Sequence, residues 1–280
     1  MNSHVDYYAN EAEAVSAGLQ KMSMSEIHEE TTRLLKEFDR LCNENGWLYS
    51  LGYGTLLGAV RHGGPIPWDD DVDVLVPRFV FEEMVNTLPH GMFCEFMDPY
   101  SADYPWAYGK FVSTRTVSFG STVKRPRGYG VFIDVFPVDG FPKRFYRVWY
   151  RLCKAAYGLM WSNFTDMDLK GNASIVNKAK WIFKRVAGFI ITPELNKCFI
   201  KSLATIIPLD HAYSAGNLFS PYPVEKEVIP ADSFSYLTRI PYDGIDLSVF
   251  SNYEEHLVRL YGDRWRTPVI VPQHGNAYWR

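Results

Sequence analysis

Four carboxylates stand within five residues of this chain: Asp69, Asp70, Asp71 and Asp73. Like charges packed so closely repel one another unless cations neutralise them. Val72, Val74 and Val76 alternate with Asp71, Asp73 and Leu75, so the segment reads as a short strand with acids on one face. Alternating valines imply half-burial, where unpaired acids are costly. On such a strand Asp71 and Asp73 point the same way, about 7 Å apart, and can share divalent ions. Hard oxygen ligands select Mg2+ or Mn2+, which keep several waters and bind substrate phosphates. The plain alternative is a solvated acidic turn.

Two further features fit phosphate chemistry. Gly52, Gly54 and Gly58 surround Thr55 just before a predicted helix over 56–61. Small residues let backbone N–H groups approach an anion, and a helix N-terminus favours negative charge. Any tight strand-to-helix turn has the same composition. Downstream, Asp134 is a single acid inside the apolar strand-like run 131–135. A buried lone carboxylate demands a partner. Beside the Asp71/Asp73 strand it would ligate metal or take a proton from an attacking hydroxyl. The alternative is a structural ion pair, with Arg115 or Arg127. Asp139, in Val138-Asp139-Gly140, reads as a turn residue.

The elements that must position these residues are legible in outline. Ser23 and Glu26 form a capping box opening a helix, with apolar Ile27, Leu34, Leu35, Phe38, Leu41 and Cys42 on one face, and Asn45-Gly46 ends it. Residues 47–51 read as a strand, 62–65 as a loop and 79–88 as a helix. Strand-like runs follow at 93–97, 110–112, 117–119 and 131–135. A helix at 252–261 precedes an irregular tail. The fold class is α/β, a short mixed sheet flanked by helices with a helical insertion. Its parts are a lead (1–22), a core (23–140), a basic aromatic insertion (141–212) and C-terminal strands and helix completing the core (213–280).

The composition narrows the function. With 280 residues, 47% hydrophobic and 22% charged, the chain has ordinary globular make-up. A net charge of −3 argues against a general nucleic-acid binder. Cys42, Cys94, Cys153 and Cys198 lack zinc-like spacing or catalytic context, which fits a reduced, cytoplasmic setting. The first 20 residues lack the apolar run of a signal peptide. No stretch gives the roughly 20 nearly uninterrupted apolar residues of a membrane span.

Gly54-Thr55-Leu56-Leu57-Gly58-Ala59-Val60-Arg61-His62, then Ile66-Pro67-Trp68-Asp69-Asp70-Asp71-Val72-Asp73-Val74, then Phe132-Ile133-Asp134-Val135-Phe136-Pro137-Val138-Asp139-Gly140 resemble the LicD family. That family includes bacterial phosphorylcholine transferases and is related to the fukutin proteins, within the nucleotidyltransferase-fold superfamily. Ile240-Pro241-Tyr242-Asp243-Gly244 and Tyr261-Gly262-Asp263-Arg264-Trp265 resemble the family's end, so the likeness runs over about residues 25–270. Tyr242-Asp243-Gly244 departs from the family's usual Phe-Glu-Gly, and Pro268 stands where a double proline is common.

The resemblance implies that Asp71, Asp73 and Asp134 bind metal and that Gly54 and Thr55 contact nucleotide phosphates. It implies transfer of phosphocholine or another phospho-alcohol from a CDP-linked donor, CDP-choline first, to a hydroxyl of a teichoic acid, lipopolysaccharide or capsule glycan, releasing CMP. Arg61 and Lys110 are the cations expected near phosphate, or else ordinary surface residues. A choline head group calls for aromatic faces. Tyr104, Trp106 and Tyr108, with Tyr100, Asp98 and Asp103 nearby, are candidates; packing on the core or stacking on sugar is the alternative. His62 beside the acids reads as a turn residue, and His274 lacks an evident partner.

Between residues 141 and 203, twelve bases face three acids, a surplus of nine, which leaves −12 for the rest of the chain. A solvated helical face is the plain reading. The other is peripheral contact with an anionic membrane carrying lipid-linked glycan, through Trp149, Tyr150, Trp161 and Trp181. Two rival functions remain: transfer of NMP from NTP to a small molecule or protein, and a non-catalytic glycan- or metal-binding module.

Overall fold

Ser23 caps the longest helix because its hydroxyl accepts from the Glu26 N–H while the Glu26 carboxylate accepts from the Ser23 N–H at 2.7 Å. In the computed structural model this helix, α2 (Met24–Asn45), follows a short α1 (Glu11–Ser16) and ends where Gly46 turns left-handed at φ 69°. The structure describes residues 11–88, 94–97, 99–100, 104–119, 130–161, 178–179, 182–183, 186, 192–270 and 277–280. Asp98, Asp103, Arg127, Trp181 and His274 lie outside them. The α2 stripe of Ile27, Leu34, Leu35, Phe38 and Cys42 is buried, and the Phe38 ring meets Tyr49 and Phe111 edge-on at 5.5 and 5.8 Å.

The fold is α/β. The main sheet has the order β1 (Ser50–Leu51), β2 (Asp73–Pro77), β6 (Phe132–Phe141), β4 (Gly109–Ser113) and β3 (Cys94–Met97), and β7 (Ser214–Gly216) and β8 (Ile229–Pro230) extend it from the far end of β6. β2 and β6 are parallel and the other neighbours antiparallel. Helices α3 (Tyr53–His62) and α4 (Arg78–Thr87) flank β2. A hairpin of β9 (Leu237–Tyr242) and β10 (Ile245–Phe250) packs by β1, and β5 (Thr116–Ser118) pairs with β11 (Ala277–Trp279).

Three expectations change. The helix after the glycine turn begins at Tyr53, so Gly54 and Thr55 lie in its first turn. β6 runs on to Phe141, so Asp139 is a buried strand residue and not a turn: its two carboxylate oxygens accept from Arg78 at 2.7 and 2.9 Å. β2 starts at Asp73, which leaves Asp71 in the loop before it. In the insertion, α5 (Tyr146–Trp161) and α6 (Pro193–Thr205) pack together through Tyr150, Cys153, Ala156, Met160, Ile200 and Ala204. Two further helices, α7 (Val224–Glu227) and α8 (Tyr253–Tyr261), follow.

Candidate active site

Sheet register sets the centre of the site. Asp73 stands directly across from Asp134 on parallel strands, and Lys110 stands across from Asp134 on its other side. Neighbours in register share a face of the sheet, so the three side chains form one row. The backbone around them is clamped. The Asp134 N–H donates to the Val72 carbonyl at 2.7 Å, and the Gly52 N–H to the Asp73 carbonyl at 3.0 Å. The Asp73 N–H donates to Thr55 Oγ1 at 2.7 Å. Thr55 is buried, so its hydroxyl holds the acid strand in place and does not reach the cleft.

Above this row opens a cleft of about 930 Å3. Asp69, Asp71, Asp73 and Asp134 form its acidic wall, with Gly54 beside them. Arg61, Lys154 and Arg264 supply cations, and the apolar lining includes Tyr53, Trp68, Trp106, Tyr108, Phe136, Tyr157, Trp161, Tyr222 and Trp265. The N-cap of α3 is Gly52, which offers the first-turn N–H groups no side-chain cap.

Electrostatics mark the carboxylates as strained. Burial first, then repulsion from Asp134, Asp70 and Asp69, pushes Asp71 up to about 7. Its side chain opens to the cleft, while protein crowds it on the other sides. Burial and the neighbouring acids raise Asp73 well above the carboxylate range. Asp134 is raised by burial despite the opposing pull of Lys110. Asp69 is raised as well, by burial first.

These residues fit a hard divalent cation. Oxygens of Asp69, Asp70 and Asp71 lie within 4.8 Å of one another, and the buried Asp69 Oδ1 has no hydrogen-bond partner. The tightest oxygen cluster among the described residues is thus one step earlier in the chain than the set Asp71, Asp73 and Asp134, although all of these acids share the cleft. His28 of α2 steadies the acid loop, its Nε2 donating to the Asp69 carbonyl at 2.7 Å.

The remaining expected residues divide. Arg61 lines the cleft, its guanidinium donating to the Trp265 carbonyl at 3.3 Å and to the ring of exposed His62 at 2.9 Å. Lys110 is buried and donates to Asp134, so that acid's countercharge is neither Arg115, which pairs with Glu30 at 3.5 Å, nor a surface group. The Lys110 ammonium also lies 4.8 Å from the Trp106 ring centre and 5.4 Å from that of Tyr108. With the Lys197 ammonium 5.9 Å from the Tyr104 ring centre, all three proposed cage rings already face a cation. Tyr104 is buried against Trp106 and is not on the cleft wall.

Sequence reading missed several wall residues. Glu227 is buried behind Tyr53: the Tyr53 hydroxyl donates to it at 2.9 Å, and Asn217 Nδ2 donates to Tyr53 at 3.1 Å. This network holds Tyr53 at φ 38°, a left-handed backbone that disfavours side chains, at the first position of α3. Lys154, Tyr157 and Trp161 reach the cleft from α5, where the sequence reads Lys154 as one of the insertion's bases and Trp161 as a membrane contact.

Residues 46–156 match the family described as LicD/FKTN/FKRP, nucleotidyltransferase domain, a span that includes Asp69, Asp70, Asp71, Asp73 and Asp134. The match covers somewhat less than half of the chain. Over 264 residues, 89% of this chain and 94% of the relative, it is 28% identical to the lipopolysaccharide cholinephosphotransferase LicD of Haemophilus influenzae. It is also 29% identical over 115 residues, 41% of each chain, to an uncharacterized protein of Rickettsia prowazekii.

Proposed function

We propose that this protein is a phosphotransferase that moves phosphocholine, or a related phospho-alcohol, from a CDP-linked donor to a hydroxyl of a cell-surface glycan, releasing CMP. The observation that carries the reading is the juxtaposition of Asp73 and Asp134 at the base of a cleft that also holds the uncapped start of α3. The name of the Haemophilus influenzae relative supports phosphocholine as the group moved and lipopolysaccharide as the acceptor class.

Phosphoryl transfer leaves a protein little covalent work, so positioning and charge neutralisation carry the rate. Mg2+ or Mn2+, held by Asp71 and Asp73 with Asp69 beside them, would supply neutralisation of the donor pyrophosphate and of the CMP leaving oxygen. The first-turn N–H groups of α3 and the Arg61 guanidinium bind phosphate oxygens from the protein side. The P–O bond to CMP breaks as the acceptor oxygen bonds to phosphorus, and CMP keeps the electron pair. Asp134, with its carboxyl raised by burial, takes the acceptor's proton or adds a further oxygen ligand. Tyr157 and Trp161, on the cleft wall, supply aromatic surface for a quaternary ammonium.

The test is product analysis. CMP release from CDP-choline in the presence of Mg2+, lost in Asp73→Asn, is expected. Pyrophosphate release from NTP, with no CMP from CDP-choline, CDP-ribitol or CDP-glycerol, would replace this reading by nucleotidyl transfer. Mn2+ binding without turnover of any of these would leave a non-catalytic module.

A further inference from the structure

The two insertion helices each bury one face against the other and hold a second apolar face in water. On α5 that outer face begins just ahead of the helix with Phe145 (79% exposed) and continues through Val148 (53%) and Leu152 (55%). Spacings of three and four residues put them on one stripe. On α6 and its end, Leu195 (62%), Phe199 (54%) and Ile206 (59%) recur at four and seven residues, again one stripe. Large apolar side chains at successive turns of paired helices are the mark of a covered surface, not of scattered exposure.

Charge identifies what covers it. Arg147 and Arg151, one turn apart and both exposed, run alongside the α5 stripe, and exposed Lys143 and Arg144 precede it. Helix α5 contains no acid; an exposed ion pair at 3.1 Å joins Arg147 to Glu225 from elsewhere in the chain. A second copy of this chain, meeting through this face, would set like charges against each other. An anionic bilayer would accept the apolar stripe and neutralise the bases together. No helix among the described residues is long and apolar enough to cross a membrane, so the contact is of the kind that lies on a surface.

We propose that the outer face of α5 and α6 docks peripherally on an anionic lipid bilayer, with Phe145, Val148, Leu152, Leu195 and Phe199 entering the headgroup boundary and Arg147 and Arg151 at the lipid phosphates. The residues are not those that composition singles out. Tyr150 is buried and Trp161 lines the cleft. None of the docking residues lines the cleft, so the inference stands apart from the proposed reaction.

Flotation of the full chain with vesicles of phosphatidylcholine, alone or mixed with phosphatidylglycerol, tests it. Binding to the mixed vesicles only, weakening with salt, is expected. Phe145→Ser/Phe199→Ser should lower the partition coefficient about tenfold or more. Each of Arg147→Gln and Arg151→Gln should lower it about fivefold. Unchanged circular dichroism and melting midpoints confirm that these exposed substitutions leave the fold intact. An environment-sensitive dye on Cys198, which is exposed on α6, gives a readout without any substitution and should shift to the blue on anionic vesicles. Absence of both flotation and dye shift overturns the proposal, as does equal binding to vesicles without phosphatidylglycerol. A dimer dissociated by Phe145→Ser/Phe199→Ser, in a protein that ignores vesicles, overturns it in favour of a second copy.

Discussion

Asp134 lies in sheet register between Asp73 and Lys110, so one buried ammonium serves a wall of carboxylates. Asp134 is the acid it touches. Asp73, one strand further, is left to raise its own proton affinity or to wait for a cation. The arrangement is a stability cost in the protein without a bound cation.

Removing the ammonium should expose that cost. Lys110→Met leaves Asp134 buried without its partner, and breaking such a pair costs about 3–5 kcal/mol. Asp134 is already raised by burial, so its contribution is present below the ordinary aspartate range and is lost as pH rises. The Lys110→Met penalty should therefore be larger at pH 8 than at pH 5 in denaturant titrations. Lys110→Met/Asp134→Asn should regain most of the stability with no activity. An equal penalty at both pH values would mean that Lys110 acts through packing against Trp106 and Tyr108 alone.

Neutralising the wall should do the opposite. Asp71 and Asp73 are both raised by burial and by neighbouring acids, so the stability they contribute is full below about pH 4 and lost as pH rises, for Asp71 through about 7. Asp71→Asn and Asp73→Asn should each raise the melting midpoint at pH 8 by a few degrees, about the effect of 1 kcal/mol in a chain of this size. Wild type should gain on addition of MgCl2 and the variants should not. CMP release should fall by several orders of magnitude in both. Midpoints that drop at pH 8 would show the acids to be bonded partners and not a repelling cluster.

How far the sequence reaches is visible in these same residues. The acid cluster, Asp134 and the α2 capping box follow from residue type and period two or 3.6, because these are local rules. Asp134 joins these acids only if its strand lies beside theirs, and parallel pairing sets it across from Asp73. The Lys110 partnership was not legible, since cross-strand register couples residues 24 apart and no local pattern encodes it. Val138-Asp139-Gly140 reads as a turn, yet the buried Arg78 guanidinium pairs with Asp139 within the strand. Glu227 and Tyr53, separated by 174 residues, meet only through tertiary packing.

Glu227 gives a third pH-dependent test. Burial first raises its carboxyl to about 7, against the pull of hydrogen bonds from Ser220 and Tyr53. A raised carboxyl contributes stability fully below about pH 4.5, which is lost as pH climbs through about 7. The span amounts to about 3 kcal/mol as an upper bound. Glu227→Gln keeps an acceptor for Tyr53 and removes the buried charge, so it should be more stable than wild type at pH 8 and little different at pH 4.5. Glu227→Ala should lose stability at both, because Tyr53 loses its partner beside a left-handed backbone. Identical pH profiles for wild type and Glu227→Gln would mean that the carboxyl titrates alike in the folded and the unfolded chain.

Gly54 separates fold from chemistry most cleanly. It lies in the first turn of α3, where alanine stabilises a helix by about 0.5–1 kcal/mol relative to glycine. A Cβ there would come 3.0 Å from Asp69 Oδ2, closer than ordinary contact, so the carboxylate must give way by a few tenths of an ångström. Asp69 is a member of the oxygen cluster suited to a cation, and its displacement strikes the site without touching the core. Gly54→Ala should hold or raise the melting midpoint while weakening the Mg2+-dependent thermal shift and lowering CMP release about tenfold or more. Bulkier Gly54→Val should deepen the loss. If activity survives in Gly54→Ala, the acids' spacing beneath the α3 N-terminus is not what the reaction needs. If activity and melting midpoint fall together, the glycine is there for packing alone.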